Sequence, residues 1–223
     1  PRDWSSDVCS SDLVRAWTAA MRTAGIETDP HLVGLNMGRD GRHAARAFFA
    51  AAGIDATDEQ VETVDAEAGE RFAADNASPA LLPGVKAFVD ALEAAPGLRW
   101  SIATSSRRAS IDPSIRALGL ARPPAVTDGT HVAHAKPAPD LLLLAASELG
   151  VPPARCWYVG DATWDQLASR AAGMTPVAVT TGAADAAALL ADGAAVVFTT
   201  IEGVHDELAR RGLIAARTHG GQG

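Results

Sequence analysis

One stretch in the second half of the chain decides the fold, and it reads Trp157-Tyr158-Val159-Gly160-Asp161-Ala162-Thr163-Trp164-Asp165. Its apolar start predicts a buried strand at 156–159, and the helical spacing that follows predicts a helix at 164–172. A charged residue directly after a buried strand is costly unless it has a partner. Asp161 and Asp165 are therefore candidate metal ligands, since Mg²⁺ prefers carboxylate oxygens. The alternative is a turn at Asp161, with Asp165 complementing the N-terminus of the helix.

Strands and helices alternate on both sides of this stretch. Further strands are predicted at 99–104, 125–127, 176–179 and 194–198, and further helices at 85–95, 139–149 and 183–190, with another ending at Gly119. This alternation implies right-handed crossovers, so we predict an α/β fold with a doubly wound parallel sheet and a Rossmann-type core. Ligands of such sheets bind beyond the carboxyl ends of the strands.

The preceding part of the chain predicts helices alone. Val14, Trp17 and Met21 share one helical face, and a second helix is expected at 40–52. Thr57 and Gln60 form the capping-box pattern of a third helix, whose apolar stripe is Val61, Val64, Ala68 and Phe72. We therefore expect a small helical domain at 14–79, followed by an α/β core at 80–215.

Both ends of the chain differ in composition from this pattern. Residues 1–13 are rich in Ser and Asp and resemble a translated sequencing adapter, so we interpret them as a non-native artefact; a natural N-terminus is the alternative. Residues 216–223 contain a Gly-rich stretch and are expected to form a disordered tail.

Two other strand ends carry chemistry that suits a phosphate ester. Thr104 and Ser105 follow a predicted strand, where hydroxyls beside a helix start can hold phosphoryl oxygens, or can simply cap the helix. Lys136, in Ala135-Lys136-Pro137-Ala138-Pro139-Asp140, offers a compact positive charge for a transferring phosphoryl group. The alternative for this lysine is a solvated loop position.

In their order and spacing, these motifs resemble haloacid dehalogenase-like hydrolases, in the branch of the phosphoglycolate phosphatases and beta-phosphoglucomutases that carry a helical cap. The resemblance implies a Mg²⁺-dependent phosphatase that hydrolyses a small phosphate monoester. It implies that Thr104 binds the phosphoryl oxygens, that Lys136 offsets negative charge, and that Asp161 and Asp165 serve the metal ion. The segment 34–43 resembles a substrate loop of the cap, so Arg39 and Arg42 are candidate substrate contacts, unless they lie on a solvated helix start.

The family's nucleophile lies in an Asp-x-Asp-Gly motif after a central first strand. Its first Asp forms an aspartyl phosphate, and its second acts as general acid and base. Nothing in this sequence matches that motif in the right place, and Asp128-Gly129-Thr130 is interpreted as a turn. We therefore assign no nucleophile and expect an N-terminally truncated, inactive chain. A sugar-phosphate mutase and a non-catalytic α/β binding protein remain alternatives.

The net charge, the hydropathy and the cysteines limit the kinds of molecule that this protein is expected to bind. A net charge of -8 at pH 7 argues against a protein built to bind nucleic acid or anionic lipid. No apolar run approaches the ~20 residues that a membrane span needs. Cys9 and Cys156 form no disulfide pattern, which favours a cytoplasmic protein. The expected partner is a small phosphorylated metabolite. Trp100, Trp157 and Trp164 are expected to be packing residues.

Overall fold

The computed structural model describes residues 8–217, which form an N-terminal helical unit and an α/β unit. The helical unit contains α1 (Val8–Thr23), α2 (Pro30–Asn36), α3 (Gly41–Ala51) and α4 (Asp58–Asp75). The α/β unit contains α5 (Val85–Ala94), β1 (Ile102–Thr104), α6 (Arg108–Ala117), β2 (Val126–Asp128), α7 (Asp140–Leu149), β3 (Trp157–Gly160), α8 (Thr163–Ala171), β4 (Thr175–Val179), α9 (Ala186–Ala191), β5 (Val196–Phe198) and α10 (Ile201–Arg210). The predicted α/β class, with parallel strands alternating with helices, is confirmed.

Helix α1 begins inside the segment 1–13 that its composition set apart. It starts at Val8, and Leu13 already packs against the core of the helical unit. The interpretation of this segment as an artefact stays a prediction, but residues 8–13 are helical although their composition favours turns. The reason is that packing of α1 against α2 and α4 outweighs the weak helix propensity of Ser and Asp. Residues 1–7, and residues 218–223 of the predicted tail, lie outside the described residues.

The helical unit has a core of its own, in which the rings of Trp17 and Phe48 meet edge to face at 5.5 Å. The predicted capping box is confirmed, since Thr57 and Gln60 bond each other's backbone N–H groups, and the predicted stripe on α4 is buried. Helix α2 was not predicted, because its seven residues carry too short an apolar pattern. Within residues 8–217, no helix is both long enough and apolar enough to cross a membrane.

The strands form two sheets rather than the single sheet that the sequence predicts. Strand β1 pairs in parallel with β2, and a second parallel sheet has the order β3-β4-β5. Strand β1 is also shorter than the predicted 99–104, because its ladder with β2 begins only at Ile102, whose N–H donates to the carbonyl of Ala125 at 2.9 Å. In residues 8–217, no strand joins the two sheets.

The break lies between β1 and β3. Backbone groups of successive residues in a parallel strand face opposite sides. Since the N–H of Ile102 donates to Ala125, which precedes β2, the carbonyl of Ala103 faces away from β2. The hydroxyl of Tyr158, on β3, lies 3.3 Å from that carbonyl oxygen. The free edge of β1 therefore lies against the side chain of Tyr158 on β3, and in residues 8–217 no strand pairs between β1 and β3.

Candidate active site

A cavity of about 1070 Å³ lies between the helical unit and the carboxyl ends of β1, β3 and β4. All of the residues that the sequence predicted for the site line this cavity, namely Arg39, Arg42, Thr104, Ser105, Lys136, Asp161 and Asp165. They come from both units, because the strand ends, the loop after α2 and the start of α3 all line the same cavity. The structure thus brings the predicted residues together, and their roles stay predictions.

Lys136, Asp165 and Tyr158 form a compact polar triangle in the wall of the cavity. The Lys136 ammonium Nζ lies 2.6 Å from Asp165 Oδ1 and 3.2 Å from the Tyr158 hydroxyl, which itself lies 3.2 Å from Asp165 Oδ1. The side chains of Lys136 and Asp165 are only 5% and 7% exposed. A buried ion pair of this kind needs good geometry and further hydrogen bonds to offset its loss of hydration. Tyr158 supplies one of these bonds, and Ala162 N–H supplies another by donating to Asp165 Oδ2 at 3.1 Å.

Burial and the neighbouring groups shift the pKa of Lys136 and of Tyr158 in this triangle. Burial alone lowers the pKa of a lysine, but the Asp165 carboxylate and Tyr158 outweigh this effect and hold the pKa of Lys136 above its ordinary value. Desolvation and the charge of Asp165 raise the pKa of Tyr158, which keeps its hydroxyl neutral. Lys136 is therefore protonated at neutral pH and is held at the edge of the cavity by two hydrogen bonds.

Asp161 lies at the carboxyl end of β3 in a different electrostatic state. Its Oδ2 accepts a hydrogen bond from the hydroxyl of Thr181, which follows β4, at 3.2 Å. Burial, with a contribution from the negative charge of Asp165, raises the pKa of Asp161 to about 6. Gly182 approaches so closely that a Cβ there would lie 2.8 Å from the Asp161 backbone oxygen. This carboxylate is thus crowded by protein atoms and short of positive charge.

That state of Asp161 suits a ligand of a divalent cation, because a bound cation stabilises the charged form that burial and the charge of Asp165 disfavour. Asp165 fits the same role less well. One of its oxygens is bound by Lys136, and the other accepts from Ala162. The part of the chain that the structure describes holds no cluster of three or more His, Cys, Asp and Glu side chains that could bind a metal ion. A cation bound to Asp161 would need its remaining ligands from water, from substrate or from other residues.

The hydroxyls after β1 are both engaged. Thr104 Oγ1 accepts from the N–H of Ser106 at 3.1 Å, a bond within the turn; it does not cap α6, whose N-cap is Arg107 and has no side-chain cap bond. Ser105 Oγ donates to the carbonyl of Gly38 at 3.1 Å and so links the α/β unit to the helical unit. Thr104 can still donate its own proton to an anion in the cavity.

Arg39 and Arg42 differ in their surroundings although both line the cavity. Arg42 is largely exposed and lies 3.7 Å from Asp40 Oδ1. The guanidinium of Arg39 stacks on the ring of Trp164 at 4.5 Å and donates to Asn36 Oδ1 at 3.0 Å. Of the two arginines, Arg39 is therefore the one whose guanidinium is held by an aromatic ring and a side-chain amide.

Trp164 makes more than the packing contacts that the sequence predicts. Its ring carries Arg39, and its Nε1 donates to the carbonyl of Leu35 at 3.2 Å. Beside it, Gly38 has φ +87 and approaches Ala162 so closely that a Cβ at Gly38 would lie 2.7 Å from the Ala162 Cβ. The loop that follows α2 is thus fixed to the start of α8 mainly through its backbone.

Sequence reasoning missed three other residues at the cavity. Arg107 bridges the two units by pairing with Glu62 at 2.6 Å and Asp65 at 2.7 Å, both on α4. Thr181 follows β4 and could have been found as a hydroxyl at a strand end, the signal that identified Thr104. Tyr158 gave no such signal, because an aromatic residue inside a strand is ordinarily a packing residue.

Comparisons with known proteins agree with this geometry. A family model described as haloacid dehalogenase-like hydrolase matches residues 10–173. The chain is 40% identical over 102 residues to protein CbbY of Rhodobacter capsulatus, and this match covers 44% of each chain. It is 34% identical over 142 residues to the N-acetylmuramic acid 6-phosphate phosphatase of Pseudomonas aeruginosa, with 62% of each chain covered. The chain thus spans about half the length of these curated relatives.

Among solved structures, a hydrolase from Pseudomonas syringae superposes with a TM-score of 0.83 at 26% sequence identity, over 93% of each chain. The family model covers well over half of the chain, and the resemblance that the motifs indicated is confirmed. The chain therefore belongs to the haloacid dehalogenase-like hydrolase family.

Proposed function

We propose that this protein is a Mg²⁺-dependent phosphatase that hydrolyses a small phosphate monoester through an aspartyl-phosphate intermediate. The observation that carries the proposal is the convergence of Thr104, Lys136 and Asp161 on one cavity at the carboxyl ends of the strands. A hydroxyl, a fixed cation and a carboxylate in need of a cation are the groups that a phosphoryl site requires. The name of the Pseudomonas aeruginosa relative, a sugar-phosphate phosphatase, supports a small phosphorylated metabolite as substrate.

Each residue has a distinct task in this proposal. Lys136, held by Asp165 and Tyr158, places positive charge where the phosphoryl oxygens gather charge in the transition state. Thr104 donates a hydrogen bond to one of those oxygens. Mg²⁺ bound at Asp161 would supply charge neutralisation between that carboxylate and the phosphate.

The nucleophile remains to be assigned, because no residue from 8 to 217 lies in an Asp-x-Asp-Gly motif. Asp128 does not supply it: its carboxylate accepts from the N–H of Thr130 at 2.9 Å and pairs with His131 at 3.2 Å, as the predicted turn requires. We propose that the nucleophilic carboxylate belongs to a strand that pairs between β1 and β3. Such a strand would end beside Lys136, because the neighbouring parallel strands end there.

The proposed reaction consists of two displacements at phosphorus and needs a nucleophilic carboxylate and a general acid besides the residues named above. The carboxylate attacks phosphorus, the bond from phosphorus to the ester oxygen breaks, and the alcohol leaves with a proton from the general acid. Water then attacks phosphorus and returns a proton to that acid, while the bond from phosphorus to the carboxylate oxygen breaks; inorganic phosphate leaves and the carboxylate is restored.

The test is phosphate release from a panel of phosphate monoesters by protein expressed from the complete gene, with Mg²⁺ and with a chelator. We expect release that depends on Mg²⁺, and a large loss in Thr104→Val and Asp161→Asn variants. Transfer of the phosphoryl group to a second position of the substrate, without net release, would indicate the mutase alternative. Binding of esters without turnover would indicate the binding-protein alternative.

A further inference from the structure

The turn after β4 contributes a hydroxyl to the carboxylate that ends β3. Strands β3 and β4 pair in parallel, so Asp161 and Thr181 follow their strands at the same edge of the sheet. The backbone N–H of Thr180 donates to the carbonyl of Phe198 on β5 at 2.9 Å, which fixes the start of this turn. Thr181 therefore reaches the Asp161 carboxylate from a backbone that the sheet already holds.

The two oxygens of the Asp161 carboxylate have different surroundings. Thr181 Oγ1 donates a hydrogen bond to Oδ2 at 3.2 Å. Gly182 packs against the same part of the group: a Cβ there would lie 2.9 Å from the carboxylate carbon Cγ and 3.0 Å from Oδ2, so a larger residue would push the carboxylate aside. Within residues 8–217, no other side chain donates a hydrogen bond to Asp161. Oδ2 is thus held by the turn, and Oδ1 is the oxygen left for a cation.

The number of carboxylate oxygens that a cation can use distinguishes Mg²⁺ from Ca²⁺. Ca²⁺ accepts many oxygen ligands in a flexible geometry, and one carboxylate can give it both oxygens. Mg²⁺ is smaller and needs a near-ideal octahedron, which the narrow angle between two oxygens of one carboxylate does not fit. A hydrogen bond to a ligating carboxylate fixes its orientation. An aspartate with one oxygen already held therefore favours Mg²⁺.

We propose that Thr181 is a positioning residue that holds Asp161 as a one-oxygen ligand, so that the site selects Mg²⁺ over Ca²⁺. Gly182 supports this role, because its lack of a side chain lets the turn approach the carboxylate. The inference rests on the proposed function, since it concerns the ion that Asp161 would bind there. A hydroxyl that only joined the ends of β3 and β4 would contribute to stability but would not affect the choice of ion.

Isothermal titration calorimetry with MgCl2 and with CaCl2 separates these two roles without relying on turnover. It uses protein expressed from the complete gene at pH 8, where Asp161 is ionised. Because loss of a hydrogen bond to a metal ligand weakens metal binding, we expect Thr181→Val to raise the Kd of Mg²⁺ by about tenfold or more. The Kd of Ca²⁺ should change less, so that the preference for Mg²⁺ falls. Thr181→Ser keeps the hydroxyl and should keep both affinities.

Thr180→Val is the matched control, because it makes the same change one residue earlier, at a side chain that does not line the cavity. It should leave both Kd values as they are in the unaltered protein. Thermal unfolding checks the fold of each variant. If Thr181→Val does not fold, Thr181→Ala removes the same hydroxyl and gives the same readout.

The role of Thr181 and the proposed function fail in different ways. An unchanged Mg²⁺ affinity in Thr181→Val, or an equal loss for both cations, would overturn the role of Thr181 and leave the proposed function standing. Tighter binding of Ca²⁺ than of Mg²⁺ by the unaltered protein would do the same. Failure of the unaltered protein to bind Mg²⁺, or Mg²⁺ binding that survives Asp161→Asn, would instead overturn the magnesium site of the proposed function.

Discussion

The buried Asp161 carboxylate should lower the free energy of unfolding at neutral pH, and a single substitution can test this. Its pKa is raised from 3.8 to about 6, chiefly by burial and next by the charge of Asp165. Because the folded pKa exceeds the unfolded one, the ionisation of Asp161 costs no stability below about pH 4, and its cost develops as the pH rises through about 6. The shift corresponds to up to about 3 kcal/mol of unfolding free energy at pH 7.5.

Asp161→Asn removes the charge at nearly constant shape and keeps an oxygen that can accept from Thr181. We therefore expect the variant to match the unaltered protein near pH 4 and to exceed its stability by up to about 3 kcal/mol at pH 7.5. Urea unfolding at a series of pH values measures this difference. Asp55→Asn, at an exposed aspartate, is the control and should leave the difference near zero throughout.

Magnesium gives the same experiment a second readout. If Asp161 binds the ion, Mg²⁺ at ten times its Kd stabilises the unaltered protein by about 1.4 kcal/mol at pH 7.5 and leaves Asp161→Asn unchanged. A stability difference independent of pH, or an Asn variant that is less stable at pH 7.5, would refute the electrostatic reasoning. Equal stabilisation of both proteins by Mg²⁺ would refute the assignment of the ligand.

Three further predictions concern other parts of the molecule. Lys136→Met leaves the Asp165 charge buried without its partner and should lower the free energy of unfolding, measured by urea denaturation, by about 3–5 kcal/mol. The double variant with Asp165→Leu should recover part of this loss. If it recovers none, the ion pair is not the cause of the loss. Gly38→Ala places a Cβ against Ala162 and should cost about 1–3 kcal/mol more than Gly53→Ala, which has similar φ but open space; equal costs would show that the contact is unimportant. The 223-residue chain expressed alone should release no phosphate from p-nitrophenyl phosphate with Mg²⁺ and should sediment readily, since the inner edges of β1 and β3 have no strand partner in residues 8–217; Mg²⁺-dependent release would contradict this.

Local patterns predicted most of the helices and strands, and which polar residues stand at strand ends, because both depend on neighbours in sequence; the roles of those residues stay predictions. The α/β alternation, the capping box at Thr57 and the positions of Thr104 and Asp161 on one cavity all follow from short-range rules. The division into two sheets could not be read from any single strand, since it depends on which strands lie side by side.

The contacts between the two units could not be predicted from the sequence either. The sequence predicts Trp164 as a packing residue, yet its ring stacks with the guanidinium of Arg39, which lies in a loop more than a hundred residues earlier. Asp165 reads as a metal ligand, yet the structure places Lys136 on one of its oxygens. In both cases the partner is distant in sequence, and spacing within one motif carries no information about it.

The helical unit contacts the α/β unit partly through its backbone near Gly38. The carbonyls of Leu35 and Gly38 accept the bonds from the α/β unit, and Gly38 sets the distance of approach. None of these contacts depends on which side chain stands at position 39. A substitution at position 39 can therefore change the lining of the cavity while the two units keep these backbone contacts.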